Sequence, residues 1–313
     1  MNTAFYSPQA CRLHDMGRGH PECPERLETI LDHLRATGLD ALLVHRESPL
    51  AQPEQLARAH SARYVAEMEA RMARCAQAGR AEPVDPDTTV SPCTREAALR
   101  AAGAALAATD AVLAGEVRNA FCAVRPPGHH ATREAAMGFC FFNNVAVAAR
   151  HALDVHGLER VAVIDFDVHH GNGTEDIVAG DARILMCSFF QHPLYPYSGT
   201  EPLGSNMVNV PLAPYTRGAA VREAVEREWM PALEAHRPQM IFVSAGFDAH
   251  REDELGQMGL VEADYAWITR RLVELAERHA QGRIVSCLEG GYHLGALARS
   301  VGAHLRELSG AAP

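Results

Sequence analysis

The sequence has none of the paired cysteines that mark a structural zinc site or a redox-active dithiol. Its eight cysteines are scattered singly along 313 residues, with no Cys-x-x-Cys arrangement. We therefore expect reduced, mostly buried thiols. The N-terminus also lacks a basic stretch followed by an apolar one, so we expect no signal peptide and a cytoplasmic location.

Long apolar runs and an excess of basic residues are absent as well. The apolar segments are much shorter than the roughly 20 residues that span a bilayer, so we expect no membrane segment. Asp and Glu number 39 against 29 Lys and Arg, which gives a formal net charge of −10. A general nucleic-acid binder needs clustered basic residues, so this class is not expected. Hydrophobic residues make up 47% of the chain, which excludes a disordered protein.

No repeat, linker or low-complexity tract divides the chain, which predicts one domain over residues 1–313. Strand-like apolar runs alternate with helical patterns, and this alternation predicts an α/β fold with parallel strands joined by right-handed crossovers. The predicted strands are 3–6, 42–46, 121–124, 161–168, 184–189, 207–212, 240–244 and 284–288. The predicted helices are 25–37, 54–60, 63–78, 94–113, 144–155, 219–235, 263–279 and 294–308. The Pro- and Asp-rich stretch 83–92 is predicted to be a loop.

The most informative stretch runs from position 161 to position 173. Its β-branched apolar start predicts a buried strand, in which Asp165, Asp167 and His169 occupy every second position. Because alternate side chains of a strand share a face, these three groups are expected to point the same way. Burying them together would be costly without a cation, so the stretch predicts a divalent metal site.

Three further segments place unusual polar residues directly after predicted strands. They are Arg125–His130, Gly246–Asp248 and Glu289–Tyr292. The carboxyl ends of parallel strands lie at one edge of a sheet, where ligands bind, so these segments can meet in one crevice. Asp248 then joins Asp167 and His169 as the predicted third metal ligand. Three ligands leave a coordination position open, which is typical of a catalytic site, and their donors favour Zn²⁺, with Fe²⁺ chemically possible.

Ordinary structural roles are the alternative for several of these residues. An aspartate after a strand is often a turn residue, and a tyrosine after a Gly-Gly pair is often a buried structural residue. A histidine pair can also lie in a surface loop. Here, however, the preceding prolines and Gly128 predict a rigid turn, which favours an acid/base function for His129 and His130.

Five ordered motifs together resemble the histone deacetylase superfamily. They are Arg125-Pro-Pro-Gly-His-His-Ala131, Gly138-Phe-Cys-Phe-Phe-Asn-Asn144, Asp165-Phe-Asp-Val-His-His-Gly171, Ala245-Gly-Phe-Asp248 and Glu289-Gly-Gly-Tyr292. The first motif is similar to the class II branch, which includes bacterial histone deacetylase-like amidohydrolases and acetylpolyamine amidohydrolases. The resemblance implies a three-layer α/β/α, arginase-deacetylase-like fold with an eight-stranded parallel sheet.

The resemblance also implies roles for the residues that react or bind metal. One Zn²⁺ per chain would be bound by Asp167, His169 and Asp248. His129 and His130 would be the tandem histidines, with Asp165 as the carboxylate partner of His129. The partner of His130, an Asp in some branches, is Asn172 here, as in class II members. Tyr292 would polarise the substrate carbonyl.

Further positions would form the substrate tunnel and a second ion site. Gly138, Phe139 and Tyr195 would line an acyl-lysine tunnel, with Asp87 at its rim. A monovalent cation, K⁺ or Na⁺, would be held by Asp165, Asp167, His169, Ser188 and the carbonyl of Phe189.

The reaction implied is hydrolysis of the amide of an acylated lysine peptide or small acylated amine, with release of acetate. Zn²⁺ would lower the pKa of water and polarise the carbonyl. His130 would take a proton from water and later protonate the amine, supported by the charge of His129. Tyr292 would stabilise the oxyanion.

Three alternatives remain open from the sequence. An arginase-like dinuclear manganese enzyme would need a second carboxylate beside Asp248, where the sequence has Ala249 and His250. A catalytically silent acyl-lysine-binding module would have lost a ligand or the phenol. An acetylpolyamine deacetylase would keep the same catalytic residues, but Leu255 stands where the polyamine-selective relatives carry an acidic gatekeeper. We therefore expect acyl-lysine substrates, no nucleic-acid or membrane partner, and possible homo-oligomers.

Overall fold

A parallel sheet forms the centre of the computed structural model, which describes residues 2–311. The strands, in chain order, are β1 Thr3–Tyr6, β2 Leu43–Arg46, β3 Glu82–Asp85, β4 Thr88–Val90, β5 Asn119–Cys122, β6 Val161–Asp165, β7 Ile184–Gln191, β8 Met207–Leu212, β9 Ile241–Ala245 and β10 Ile284–Leu288. Within the described range, eight of them form one sheet in the order β2-β1-β5-β10-β9-β6-β7-β8. Every neighbouring pair in this sheet is parallel, as predicted.

Helices flank the sheet and give the predicted α/β/α architecture. They are α1 Glu25–Ala36, α2 Pro53–Leu56, α3 Ala62–Ala78, α4 Thr94–Leu113, α5 Asn144–Asp154, α6 Asn172–Val178, α7 Gly218–Ala224, α8 Met230–His236, α9 Glu262–His279 and α10 Leu294–Ser309. Helix α10 packs against α1 and α9, and helix α4 packs against α3 and α5. No helix in residues 2–311 is both long enough and apolar enough to cross a bilayer.

The central strands consist mostly of apolar residues because both faces of the sheet are covered. All five residues of β6 and all five of β9 are buried, and each strand begins with an apolar run, 161–164 in β6 and 241–243 in β9. The helix α4 is rich in alanine, and its buried alanines allow it to pack closely on the neighbouring helix and strands. A stacked pair of aromatic rings, Phe189 and Trp229 at 5.5 Å, fills the core near β7.

The sheet order brings the polar motifs together. The four segments that follow β5, β6, β9 and β10 contain the residues singled out from the sequence, and these strands are the adjacent central ones, in the order β5-β10-β9-β6. Their carboxyl ends therefore form one continuous edge, as expected for a ligand site in an open parallel sheet.

The structure corrects the predicted strand 161–168, because β6 ends at Asp165. Beyond this point side chains replace the sheet ladder as hydrogen-bond partners of the backbone. The carboxylate of Asp165 accepts a bond from the N–H of Asp167, and that of Asp167 accepts one from the N–H of His169. The alternating-face argument for these three residues was therefore wrong, although Asp167 and His169 still converge.

Three other predicted elements also differ. The predicted helix 54–60 is shorter in the structure, where α2 ends at Leu56. The stretch 83–92, predicted to be a loop, contains the antiparallel hairpin of β3 and β4, whose turn is Pro86-Asp87. The prolines and aspartates around this turn hide the short strands in the sequence. The predicted helix 219–235 consists of α7 and α8 joined by a π-helical turn at Val225–Trp229, just before Pro231. Because proline lacks an N–H, it interrupts the regular helical bonding there.

Candidate active site

Three buried side chains from two different strand ends form a candidate metal centre. The Nδ1 atom of His169 lies 3.0 Å from Oδ1 of Asp167 and 3.1 Å from Oδ2 of Asp248. Both carboxylates are fully buried, and the histidine side chain is 11% exposed. One ligand atom from each residue lies within 4.8 Å of the others, so the three can bind a single ion.

The electrostatics of this centre fit a divalent cation. Burial, reinforced by the negative charge of Asp167, raises the pKa of Asp248 to about 7. Burial also opposes protonation of His169, but its bonds to the two carboxylates outweigh that effect and raise its pKa to about 10. Two carboxylates buried side by side repel each other, and a cation between them would offset both the repulsion and the cost of burial.

The tandem histidines lie next to this centre and have different partners. The Nδ1 atom of His129 is 3.0 Å from Oδ2 of Asp165, and its Nε2 atom is 3.8 Å from Oδ2 of Asp167. The Nδ1 atom of His130 is 2.7 Å from the amide oxygen of Asn172. The two imidazole rings are 4.1 Å apart. Asp165 therefore contacts His129 rather than joining the metal-binding group, and Asn172 contacts His130.

The two imidazoles consequently have opposite pKa shifts. Burial by itself would lower the pKa of His129, but the charges of Asp167 and Asp165 outweigh it and raise this pKa well above its usual value. For His130, burial and the charge of His129 lower the pKa well below its usual value. At neutral pH one ring is therefore suited to carry positive charge and the other to accept a proton.

The positions predicted to line a tunnel lie beside His130 and Tyr292. A Cβ atom on Gly138 would lie 2.4 Å from the His130 ring, so only glycine fits there, and its φ of +54° is also readily adopted by glycine. The ring of Tyr195 is 5.2 Å from that of His130. The ring of Phe139 lies 5.9 Å from that of Tyr292.

The predicted rim residue Asp87 lies at the turn of the β3–β4 hairpin and connects to Phe139. Its carboxylate accepts a bond from the hydroxyl of Thr88, and this hydroxyl accepts one from the N–H of Phe139, each at 2.9 Å. The hairpin that the sequence did not reveal is thus the element that presents Asp87 beside the tunnel residues.

Tyr292 follows a Gly-Gly pair that passes directly over the metal centre. A Cβ atom on Gly290 would lie 2.1 Å from a carboxylate oxygen of Asp248, so a side chain there would occupy the site. The N–H of Gly290 donates to Asp167. Burial raises the pKa of Tyr292 well above its usual value, so its hydroxyl stays protonated.

Two carboxylates, whose functions the sequence did not reveal, fix the backbone of the segment after β5 and of the turn after β10. Glu289 accepts bonds from the N–H groups of Gly128 and His129 at 2.6 and 3.1 Å. Asp253 accepts bonds from the N–H groups of Tyr292 at 2.6 Å, His293 at 2.9 Å and Leu255 at 3.1 Å. The signal for Glu289 was its place in the Glu-Gly-Gly-Tyr motif, whereas Asp253 has no local signal because its main partner is 39 positions away.

The remaining positions, which were predicted to bind a monovalent cation or the substrate, lie near the site, but their contacts do not assign them a function. Ser188 is paired in register with Asp165 across β6 and β7, and Phe189 is the next residue of β7. The hydroxyl of Ser188 donates to Asn209. Leu255 is half-buried on the loop after β9, and Glu254 beside it is exposed.

Together, the central sheet edge, the candidate metal centre and the histidine pair define an α/β protein with a candidate metal site of the catalytic type. The sequence matches the histone deacetylase domain family over residues 20–308. It is 41% identical to the histone deacetylase-like amidohydrolase of Pseudomonas aeruginosa over 93% of this chain and 81% of that protein. It is 38% identical to the human polyamine deacetylase HDAC10 over 90% of this chain and 44% of that protein.

Structural comparison leads to the same family. The crystal structure of the HDA15 HD domain superposes with a TM-score of 0.91 at 30% identity, over 99% of this chain and 88% of that one. The chain belongs to the histone deacetylase family. It is accordingly a deacetylase, an enzyme that hydrolyses amide bonds, and the arginase-deacetylase fold expected from the motifs is confirmed.

Proposed function

We propose that the protein is a zinc-dependent deacetylase that removes acetyl or related acyl groups from lysine side chains of peptides. The observation that carries the proposal is the position of the His169 imidazole, whose Nδ1 atom lies 3.0 Å from the carboxylate of Asp167 and 3.1 Å from that of Asp248. One Zn²⁺ per chain would be bound by these three residues. Their two carboxylate oxygens and one imidazole nitrogen suit this ion, and three protein ligands leave a position open.

Zn²⁺ bound here would supply Lewis acidity, which makes water more acidic and the amide carbonyl more electrophilic. The side chains carry the remaining steps. His130, whose pKa is lowered, accepts a proton from the attacking water at its Nε2 atom and later gives a proton to the leaving amine. Asn172 holds the opposite nitrogen, Nδ1, and so fixes the ring orientation.

Charge and hydrogen bonding support this proton transfer. His129, paired with Asp165, stays positively charged beside the reacting atoms. The phenol of Tyr292 donates a hydrogen bond to the oxyanion of the tetrahedral intermediate. The rigid Gly-Gly turn and the bonds to Asp253 fix the backbone from which this phenol extends.

Preference for acyl-lysine over acylpolyamine substrates rests on the charge at the pocket mouth. Leu255 offers no partner for a second ammonium group. The carboxylate of Asp253, although close in sequence, is already occupied by three backbone N–H groups. A charge-assisted hydrogen bond contributes roughly 1.5–3 kcal/mol, so its absence weakens polyamine binding. An acetylpolyamine deacetylase is the second candidate, favoured by the similarity to HDAC10 and by the exposed Glu254.

Steady-state kinetics with an acetyl-lysine peptide and N8-acetylspermidine test this preference. We expect a higher kcat/KM for the peptide, and we expect Leu255→Glu to shift the ratio toward the polyamine by about 10-fold or more. Leu203→Glu, at a leucine that is 64% exposed, is the matched control for added charge. A higher kcat/KM for acetylspermidine in the unaltered enzyme would contradict the preference but not the deacetylase activity.

Four further assignments belong to the same proposal. A K⁺ or Na⁺ ion would be held by Asp165, Asp167, His169, Ser188 and the Phe189 carbonyl, and the register of Asp165 with Ser188 supports this. A cytoplasmic location is supported by eight free cysteines, of which six are buried. One domain over residues 1–313 and homo-oligomers remain predictions.

A further inference from the structure

A second group of metal-ligating side chains lies outside the active site, at the carboxyl ends of two packed helices. Asp110 belongs to the last turn of α4, and His151 belongs to the last turn of α5. His156 follows directly after Val155, the residue that caps the carboxyl end of α5. None of these residues takes part in the deacetylase chemistry described above.

The three side chains converge on one point. The Nε2 atoms of both imidazoles contact the same carboxylate oxygen, Oδ1 of Asp110, at 2.7 Å from His151 and 2.6 Å from His156. The two rings are 5.1 Å apart and nearly perpendicular, at 79°. All three ligand atoms lie within 4.8 Å of one another, as do those of Asp167, His169 and Asp248 in the candidate metal centre.

The group combines a fixed ligand with two adaptable ones. The side chain of His151 is 7% exposed, so its ring is held by the packing between α4 and α5. His156 is 30% exposed and Asp110 is 53% exposed, so both can move by the few tenths of an ångström that separate hydrogen-bond distance from metal-ligand spacing. The exposed side leaves room for water ligands and an entry path.

The local charge also favours a cation. The carboxyl end of a helix carries a partial negative charge, and two such ends meet here beside a carboxylate. Hydrogen bonding from His151 and His156 lowers the pKa of Asp110, so this carboxyl is ionised at neutral pH. Two imidazole nitrogens and one carboxylate oxygen are donors that suit Zn²⁺, Ni²⁺ and Cu²⁺ and disfavour Mg²⁺ and Ca²⁺.

The alternative to a metal site is simple hydrogen bonding between Asp and His, and an ordinary Asp–His pair is present elsewhere on the surface. His45 pairs with Asp40 at 3.0 Å, and only two donors meet there. At Asp110 a second imidazole reaches the same oxygen from a different segment of the chain. We propose that Asp110, His151 and His156 form a second divalent metal site that joins the ends of α4 and α5.

Zinc stoichiometry tests this proposal. After equilibrium dialysis of the purified enzyme against zinc chloride at pH 7.5, elemental analysis should give one more Zn²⁺ per chain for the unaltered protein than for His156→Ala. Asp110→Asn, which keeps the size of the side chain, should lose the same ion. His45→Ala is the matched control, because it removes an exposed histidine from a two-donor pair and should change nothing.

Thermal unfolding gives a second readout. Zinc should raise the Tm of the unaltered protein, because binding to the folded state adds stability. This rise should be smaller in His156→Ala and Asp110→Asn. Deacetylase activity should be unaffected by His156→Ala. Equal zinc content in the unaltered protein and the folded variants would overturn the proposal, whatever the outcome for the active site.

Discussion

Tyr292 is the residue whose proposed role depends most on the position of its backbone. Its backbone is fixed by the Gly-Gly turn over Asp248, and its hydroxyl stays protonated because burial raises its pKa. Tyr292→Phe should keep the zinc content and lower kcat by about 10²–10³, the usual effect of removing an oxyanion donor. Tyr215→Phe, at a tyrosine that is 74% exposed, is the control. An unchanged kcat would assign Tyr292 a purely structural role.

The residues proposed to react or bind metal could be singled out from the sequence because each lies in a short motif after a strand. Asp167, His169 and Asp248 converge as expected, and His130 contacts Asn172. Their orientation could not be predicted from strand alternation, since β6 ends at Asp165 and hydrogen bonds from backbone N–H groups to side chains determine the path beyond it.

At the scale of elements, the loop after β9 and the turn after β10 are joined by one carboxylate. Asp253 accepts hydrogen bonds from the N–H groups of Tyr292, His293 and Leu255. It therefore links the loop that contains Leu255 to the backbone from which the phenol of Tyr292 extends. Asp253→Asn replaces an acceptor oxygen with an N–H donor and removes the charge. We expect kcat to fall by roughly 10- to 100-fold, in line with bonds worth about 1.5–3 kcal/mol.

Metal content and KM separate this positioning effect from general damage. Both zinc content and KM should change little, and Asp253→Glu should recover part of the lost kcat. Asp264→Asn is the matched control, because Asp264 also accepts a bond from a backbone N–H but does not contact the Tyr292 turn. If the two Asn variants lose activity equally, Asp253 has no special link to the phenol.

The elements themselves were predictable to different degrees. Long periodic stretches such as α4 and α9 and the mostly apolar strands of the sheet are confirmed within a few residues. The hairpin of β3 and β4 was not, because a strand of three or four residues next to prolines has no clear periodicity. The pairing of Asp253 with Tyr292 likewise depends on tertiary structure, since the two are far apart in sequence.

At the scale of the whole molecule, buried neutral histidines make the fold sensitive to acid. The Nδ1 atom of His60 donates to the carbonyl of Thr132, and its Nε2 atom accepts from the N–H of Asn143. Burial lowers the pKa of His60 to about 4. Between about pH 6.5 and pH 4 the unfolded chain therefore binds a proton that the folded protein does not. The free energy of unfolding should therefore decrease as the pH is lowered through this range, by up to about 1.4 kcal/mol per pH unit for this residue.

Urea unfolding at several pH values checks this contribution. His60→Gln keeps one donor and one acceptor but does not titrate, so its free energy of unfolding should depend less on pH between 6.5 and 4 than that of the unaltered protein. Above pH 7 the difference between the two proteins should be constant. Parallel pH profiles throughout would show that His60 is not held neutral.

The central claim is that a metal ion bound by Asp167, His169 and Asp248 is required for amide hydrolysis. The most direct measurement is zinc content and acetate release in the same sample, for the unaltered enzyme and for Asp248→Ala. Asp32→Ala, at an aspartate whose side chain is 79% exposed, is the control for the loss of a carboxylate. We predict that Asp248→Ala contains one Zn²⁺ per chain fewer and releases no acetate from an acetyl-lysine peptide or acetylspermidine, while the control matches the unaltered enzyme. A folded Asp248→Ala variant with full zinc content and undiminished acetate release would contradict the account.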